Sequence, residues 1–110
     1  MTGDPTAQLR RGVAEPCVLA LLRDRPRYGW ELAETLGDRG LVASIGTLYP
    51  LLARLRGQGL VETFEQTSDA GPNRRYYRLT DAGRRELEGF RSRWADFRTT
   101  VDDLLEGEHA

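Results

Sequence analysis

The chain is poor in the residues that carry catalysis, metal binding and cross-linking. It contains no lysine, one cysteine and one histidine, so all sixteen basic side chains are arginine. A lone cysteine cannot form an internal disulfide, and Cys17 lies in an apolar run; we interpret it as a small core residue rather than a redox sensor. His109 stands in an acidic tail, and the sequence has no glycine-rich phosphate loop or metal-ligand cluster. These absences predict a protein that is not an enzyme and that holds no metal and no cofactor.

Long hydrophobic runs are also missing. Nowhere do about 18 apolar residues follow one another, and the N-terminus carries no apolar stretch of the kind found in signal peptides. We therefore expect no membrane partner and a cytoplasmic location. With 110 residues the chain has the length of one compact domain.

Charge is unevenly distributed along the chain. The formal net charge is only −1, and every charged residue between 102 and 108 is acidic. Arg54, Arg74 and Arg75 supply positive charge in the central part. A nearly neutral protein of this kind can still present one basic face to a nucleic acid.

Hydrophobic periodicity and capping residues predict four helices after a flexible N-terminus over 1–8. The second of these helices is expected to bury Trp30, Leu32, Ala33 and Leu36. The predicted spans are Leu9 to Asp24, with Pro16 as a start or a kink; Tyr28 to Leu36, followed by Gly37; Ser44 or Thr47 to Gly57; and 80–106, followed by an acidic tail over 107–110.

After Gly59 the apolar spacing changes to that of strands. Leu60 to Gln66 and Arg74 to Leu79 are predicted to pair as a hairpin, joined by a loose loop over 67–73. Three helices, a hairpin and a long last helix define a mainly α protein with a small β-hairpin. We predict a winged helix-turn-helix DNA-binding domain over 9–79 and a dimerisation helix over 80–106. The usual partner of such a domain is double-stranded DNA.

The third predicted helix has an outer face without bulky side chains. At about 100° per residue, its apolar side is formed by Ile45, Leu48, Leu52 and Leu55. The opposite side consists of small residues with a hydroxyl and an arginine at its edges, and it suits close approach to the floor of a major groove. Packing against another protein is the second interpretation. The residues of this outer side are Gly46, Pro50, Ala53, Gly57, Thr47 and Arg54.

The hairpin brings a pair of arginines, Arg74 and Arg75, to its return strand. Arginine at a hairpin tip suits phosphate or a narrow minor groove, and alternation along a strand sends the two side chains to opposite faces. A solvated charged turn is the alternative interpretation. Tyr28 is predicted either to donate its hydroxyl to a phosphate or to be a half-buried structural residue.

The last helix carries a heptad seam. Apolar residues recur at spacings of 3, 4, 3, 4 and 3, and a lone helix would leave them in water. We expect the seam to pack against the first helix and a second copy of the chain; packing only within the monomer is the alternative. The predicted dimer-interface residues are Leu87, Phe90, Trp94, Phe97, Val101 and Leu104.

Several motifs resemble the PadR family of bacterial transcriptional regulators. They are Tyr28-Gly29, Gly46-Thr47-Leu48-Tyr49-Pro50-Leu51-Leu52, Gly59-Leu60-Val61 and Arg74-Arg75-Tyr76-Tyr77-Arg78-Leu79-Thr80-Asp81-Ala82-Gly83. The resemblance extends from Leu9 to Leu105 and is closest to the subgroup with a single C-terminal helix. Two departures are Pro16 in the first helix and Arg56 where the family often has an acidic residue.

The resemblance implies a winged-helix homodimer, usually a repressor, on inverted-repeat operators near promoters. It implies that the third helix lies near the major groove and that the paired arginines lie at the backbone or minor groove. Together with the inferences from the residues, the predicted DNA-binding set is Tyr28, Ser44, Gly46, Thr47, Tyr49, Pro50, Arg54, Arg74 and Arg75.

The resemblance also suggests a ligand. In multidrug-sensing members of the subgroup an aromatic residue of the last helix lines a pore at the dimer interface, and Trp94 occupies the similar position. Trp94 therefore has two interpretations: dimer core, or a platform on which a small aromatic effector stacks with Phe90 and Phe97. The sequence predicts a DNA-binding regulator, with a winged-helix protein-interaction module as the alternative.

Overall fold

The computed structural model describes residues 5–68 and 71–107, with the side chain at position 68 left out. Its helices and strands follow one another in the order expected of a winged helix, with one short strand added. They are α1 (Pro5–Arg10), α2 (Ala14–Leu21), β1 (Arg27–Tyr28), α3 (Gly29–Asp38), α4 (Ile45–Gly57), β2 (Val61–Ser68), β3 (Gly71–Leu79) and α5 (Asp81–Leu105).

The N-terminal part differs from the sequence prediction. The predicted single helix from Leu9 to Asp24 is wrong, because the chain forms α1 and α2 with a break that includes Gly12 at φ 84°. Residues 5–8 belong to α1 instead of a flexible arm, and 1–4 lie outside the described residues. Pro16 is the third residue of α2, where its missing N–H costs no helical hydrogen bond.

The helices α3 and α4 both end in the same glycine motif. At the end of α4, Gly59 has φ 76°, and the N–H groups of Gly59 and Leu60 donate to the carbonyls of Arg56 and Leu55 at 3.0 Å each. This Schellman arrangement satisfies the last carbonyls and turns the chain into β2. In α3 the residue in this position is Gly40 rather than the predicted Gly37, so α3 continues to Asp38.

Ser44, rather than Thr47, caps the N-terminus of α4. The Ser44 Oγ accepts a hydrogen bond from the Thr47 N–H at 3.2 Å. Pro50 is consequently the sixth residue of the helix and not in its first turn. Since proline has no N–H, the carbonyl of Gly46 lacks its usual partner four residues later, and it lies on an exposed stretch of the helix.

Apolar side chains from every element except α1 and β1 form one core. In α4 the core residues include Leu51, whereas the predicted Ile45 is only half-buried. Trp30, predicted to be in the core, is 57% exposed, because it follows the first residue of α3 on the side away from Leu32 and Leu36. The buried core consists of Val18, Leu19, Leu22, Leu32, Leu36, Val42, Leu48, Leu51, Leu52, Leu55, Val61, Tyr77, Leu79 and Leu87.

The sheet has three antiparallel strands in the order β1-β3-β2. The strand β1 was not predicted from the sequence, and it contributes only two residues. The hairpin is longer than predicted, since pairing continues to Ser68 and Gly71 with an irregularity after Gln66; a loose loop over 67–73 is therefore wrong. Residues 69 and 70 lie outside the described part of the chain.

The last helix begins at a cap that also fixes it to the end of α4. Thr80 Oγ1 accepts from the Gly83 N–H at 3.0 Å and donates to the Gly59 carbonyl at 2.7 Å. The helix body ends at Leu105, so the predicted span 80–106 includes both cap residues. The tail residues 108–110, with His109, lie outside the described residues. Within the described part, no helix is long and apolar enough to cross a membrane.

Candidate nucleic-acid interface

The outer side of α4 is exposed, as the sequence analysis predicted. Every residue predicted for this side is solvent-accessible, while Leu48, Leu52 and Leu55 are buried. Small residues keep the surface low, so a large partner can approach the helix backbone closely. The exposed residues are Gly46, Thr47, Tyr49, Pro50, Ala53, Arg54 and Gly57, to which the structure adds Arg56.

Tyr49 is the one aromatic residue of α4. It is 48% exposed, and its ring lies against Gly29, the buried first residue of α3. The ring therefore joins the exposed side of α4 to the beginning of the preceding helix.

Arg54 is paired rather than free. Its Nε and Nη2 donate to one oxygen of Glu15, Oε2, at 2.9 and 2.7 Å. Glu15 lies in α2, 39 positions away in sequence, so the sequence alone gave no sign of this pair. The Arg54 side chain remains more than half exposed. Because exposed ion pairs contribute only about 0–1 kcal/mol, exchange of Glu15 for a phosphate costs little.

The two arginines of the wing, the hairpin β2–β3, lie on opposite faces of the sheet. The guanidinium of Arg74 lies 4.6 Å from the ring centroid of Tyr28, a cation–π contact on the outer face. Arg75 has its Nε 3.4 Å from Glu65 Oε2. Arg75 follows Arg74 in an extended strand and is therefore on the face that carries Tyr77.

Tyr77 marks the place where α4 and the wing come together. Burial raises the pKa of its phenol above the ordinary value; Tyr49 also raises this pKa, whereas Arg75 and Arg56 lower it. All three neighbours are thus close enough to act on Tyr77. Arg56 was not predicted as a site residue, and its position two residues after Arg54 was the only sequence signal.

Three aromatic rings form a row across the outer face of the sheet. The ring centroids of Tyr28 and Phe64 each lie 5.5 Å from that of Tyr76 on β3, one on either side. Both residues are the strand partners of Tyr76 in the register of the sheet. Arg78 extends the row, with its guanidinium 4.7 Å from the centroid of Phe64 and a 2.9 Å hydrogen bond to Glu62. Tyr28 is half-buried, which supports the structural interpretation of this residue; a hydroxyl contact to phosphate stays a prediction.

The seam of α5 is buried at its start and exposed further along. Leu87 is buried, Phe90 and Val101 are half-buried, and Trp94, Phe97 and Leu104 are exposed. The rings follow one another along the helix, with centroid distances of 6.1 Å for Phe90–Trp94 and 6.4 Å for Trp94–Phe97.

A groove of about 970 Å³ lies between this seam and the N-terminal helices. Its N-terminal wall includes Val13, Cys17 and Ala20. Partial burial raises the pKa of the Cys17 thiol above its ordinary value, which supports a packing role for this residue. Among residues 5–68 and 71–107, no group of three or more His, Cys, Asp or Glu side chains could hold a metal ion.

The order of helices, with α4 followed by a hairpin that carries arginines, places the protein in the class of winged helix-turn-helix proteins. Within that class, the Transcriptional regulator PadR-like family matches residues 18–89. The chain belongs to the PadR family of transcriptional regulators.

Individual relatives agree with this assignment. A PadR-like transcriptional regulator from Bacillus cereus has a crystal structure that is 40% identical, with a TM-score of 0.81, over 89% of this chain and 96% of that one. A PadR family regulator from Eggerthella lenta is 39% identical, with a TM-score of 0.80, over 92% and 88%. A transcriptional regulator of Mycobacterium tuberculosis is 36% identical over 80 residues, which are 73% of this chain and 74% of the relative. These relatives are regulators rather than enzymes, which supports a non-enzymatic role.

Proposed function

We propose that the protein is a cytoplasmic repressor that binds an inverted-repeat operator as a homodimer. Residues 9–79 form the DNA-binding domain, with α4 in the major groove and the wing on the backbone or in the minor groove. The observation that carries this proposal is the exposed, bulk-free side of α4 beside the wing arginines. A helix in a charge-rich protein ordinarily carries long charged side chains along its whole solvated side, whereas α4 carries them only in its last turn, at Arg54 and Arg56.

Each predicted DNA contact has a distinct chemical role in this proposal. Thr47 and Tyr49 lie on the exposed side of α4 and can meet base edges, and Arg54 can bind guanine or phosphate. Arg74 and Arg75 neutralise phosphates. The remaining members of the set permit close approach or flank the helix: Tyr28, Ser44, Gly46 and Pro50.

The dimer is proposed on α5 because Trp94, Phe97 and Leu104 of the seam remain exposed in the part of the chain that the structure describes. Phe97 is 63% exposed, and Leu104, near the C-terminal end of the helix, is also exposed. Aromatic rings in water are unfavourable, and burial against a second copy removes their surface from solvent. Two copies related by a two-fold axis would also match the symmetry of an inverted repeat.

An effector is the second part of the proposal. The rings of Phe90, Trp94 and Phe97 follow one another along a groove that an aromatic molecule can enter. Trp94 as dimer core is the alternative, and titration of tryptophan fluorescence with planar aromatic compounds distinguishes the two. Saturable quenching supports a ligand, and unchanged fluorescence across a diverse panel supports packing alone.

One observation favours a different function, a protein-interaction module. Arg54, Arg75 and Arg78 are each paired with a carboxylate, which reduces the positive charge available to DNA. Binding to a duplex from the chain's own upstream region separates the two functions. With three arginine contacts in each of two protomers, the affinity should fall roughly a thousandfold between about 50 and about 200 mM salt. A protein-interaction module would show no specific complex with the duplex at either salt concentration.

A further inference from the structure

Gly29 leaves room for a side chain of the exposed helix. It is the buried first residue of α3, and its backbone has no positive φ, so its conformation does not require glycine. A Cβ built at this position would lie 3.1 Å from the Tyr49 Oη and 3.2 Å from its Cε1. Contacts this short are tighter than ordinary van der Waals contact, so the Tyr49 ring would have to shift by a few tenths of an ångström. The lack of a side chain at position 29 is thus what lets the tyrosine ring lie where it does.

Tyr49 gains a fixed orientation from this contact. One side of its ring packs on the beginning of α3, while about half of the residue remains accessible on the outside of α4. A side chain at 29 would push the ring away from the beginning of α3. Tyr49 is uncharged, so such a movement leaves the positive charge of the surface unchanged.

We propose that Gly29 is a positioning residue for operator recognition, because it holds the Tyr49 ring in the orientation that meets the bases. The inference rests on the proposed function, DNA binding through α4. Charged side chains determine non-specific affinity and its salt dependence, whereas contacts to base edges determine preference for one sequence. Displacement of Tyr49 should therefore reduce the preference for the operator while binding to unrelated DNA stays the same.

The test compares Gly29→Ala with Gly37→Ala, a matched change in the same helix. A Cβ at position 37 meets nothing within 4 Å, so this control reproduces the gain in helix propensity without touching Tyr49. Each variant, together with Tyr49→Ala and the Gly29→Ala/Tyr49→Ala double variant, is titrated against two duplexes. One is the duplex that the parent protein selects from a random pool, and the other is a scrambled duplex of the same length. Thermal unfolding confirms that each variant is folded at the assay temperature.

We expect Gly29→Ala to lower the affinity for the selected duplex about tenfold, the cost of a lost base contact, and to leave the scrambled duplex unaffected. Gly37→Ala should bind both duplexes like the parent. Tyr49→Ala should lower the affinity for the selected duplex by a similar factor. The Gly29→Ala/Tyr49→Ala double variant should bind this duplex no more weakly than Tyr49→Ala alone. The proposal is overturned if Gly29→Ala keeps the parent's preference for the selected duplex. It is also overturned if Gly29→Ala lowers the affinity for that duplex as much in the Tyr49→Ala background as in the parent. A parent protein that selects no sequence would instead overturn the proposed function.

Discussion

Arg54 on α4 and Glu15 on α2 form an ion pair through a single carboxylate oxygen, at 2.7 and 2.9 Å. The pair connects an arginine of the proposed DNA surface to a helix that lines the groove beside the α5 seam. Operator phosphate and Glu15 are thus competing partners for the same guanidinium.

This competition predicts that Glu15→Gln strengthens DNA binding. An exposed ion pair contributes about 0.2–1 kcal/mol, so the affinity should rise about 1.4- to 5-fold, as measured by fluorescence anisotropy. Glu88→Gln is the control, because it removes the same charge from a pair with Arg91 on α5. In an Arg54→Ala background, Glu15→Gln should raise the DNA affinity no more than Glu88→Gln does. An equal gain with and without Arg54 would show that only net charge matters.

The exposed seam of α5 predicts that Phe97→Glu produces a folded monomer. The substitution places a charge where the dimer would bury a ring, while Phe97 makes little contribution to the core of one chain. Sedimentation at micromolar concentration should give the dimer mass for the parent and the monomer mass for the variant. Thr99→Glu, on the opposite side of the same exposed stretch, should remain a dimer. A parent protein that is itself monomeric under these conditions contradicts the proposed interface.

Replacement of Gly83 by alanine is expected to destabilise the fold. A Cβ there would overlap the backbone carbonyl of Leu60 and crowd Leu79, neither of which can move freely. Gly83→Ala should lower the free energy of unfolding by about 1–3 kcal/mol, the usual cost of overpacking. Gly89→Ala in the same helix meets only the flexible end of Arg93 and should instead raise stability by up to about 1 kcal/mol. Urea denaturation measures both, and equal effects of the two changes would refute the close contact.

The contribution of Glu31 to the stability of the fold is expected to depend on pH. Burial raises the pKa of its carboxyl, but hydrogen bonds from Arg25 and the Tyr28 N–H outweigh this, so the pKa is lowered in the folded protein. A lowered pKa stabilises the fold above the carboxyl's unfolded pKa, and this contribution disappears as pH falls through the folded value. Parent and Glu31→Gln should therefore differ in Tm at neutral pH and converge in acid. A constant difference in Tm across that range would contradict the assignment.

Features carried by neighbouring residues could be predicted from the sequence. The cap at Thr80, the end of α4 at Gly57 and the exposed side of α4 all depend on local spacing, and the structure agrees with them. For the N-terminus of α4 the spacing left two candidate caps, Ser44 and Thr47, and the structure has Ser44. The fold class, a winged helix-turn-helix with a long last helix, followed from their order.

Features that depend on contacts between distant segments could not be predicted. The two residues of β1 have no strand pattern of their own and pair only because β3 lies beside them. The exposure of Trp30 depends on how α3 packs, and the pairing of Arg54 depends on where α2 lies. The contact between Gly29 and Tyr49 was likewise invisible, although both residues belong to motifs that carried the family resemblance.

The most direct test of the account is the DNA affinity of the Arg54→Ala/Arg75→Ala double variant across a salt series. Two arginines removed from each of two protomers should make the slope of log affinity against log salt shallower by about four, and binding at low salt should weaken markedly. Arg91→Ala/Arg93→Ala removes the same charge from paired arginines of α5 and should leave the slope unchanged. A double variant that binds the selected duplex with the parent's affinity and slope would contradict the proposed DNA surface.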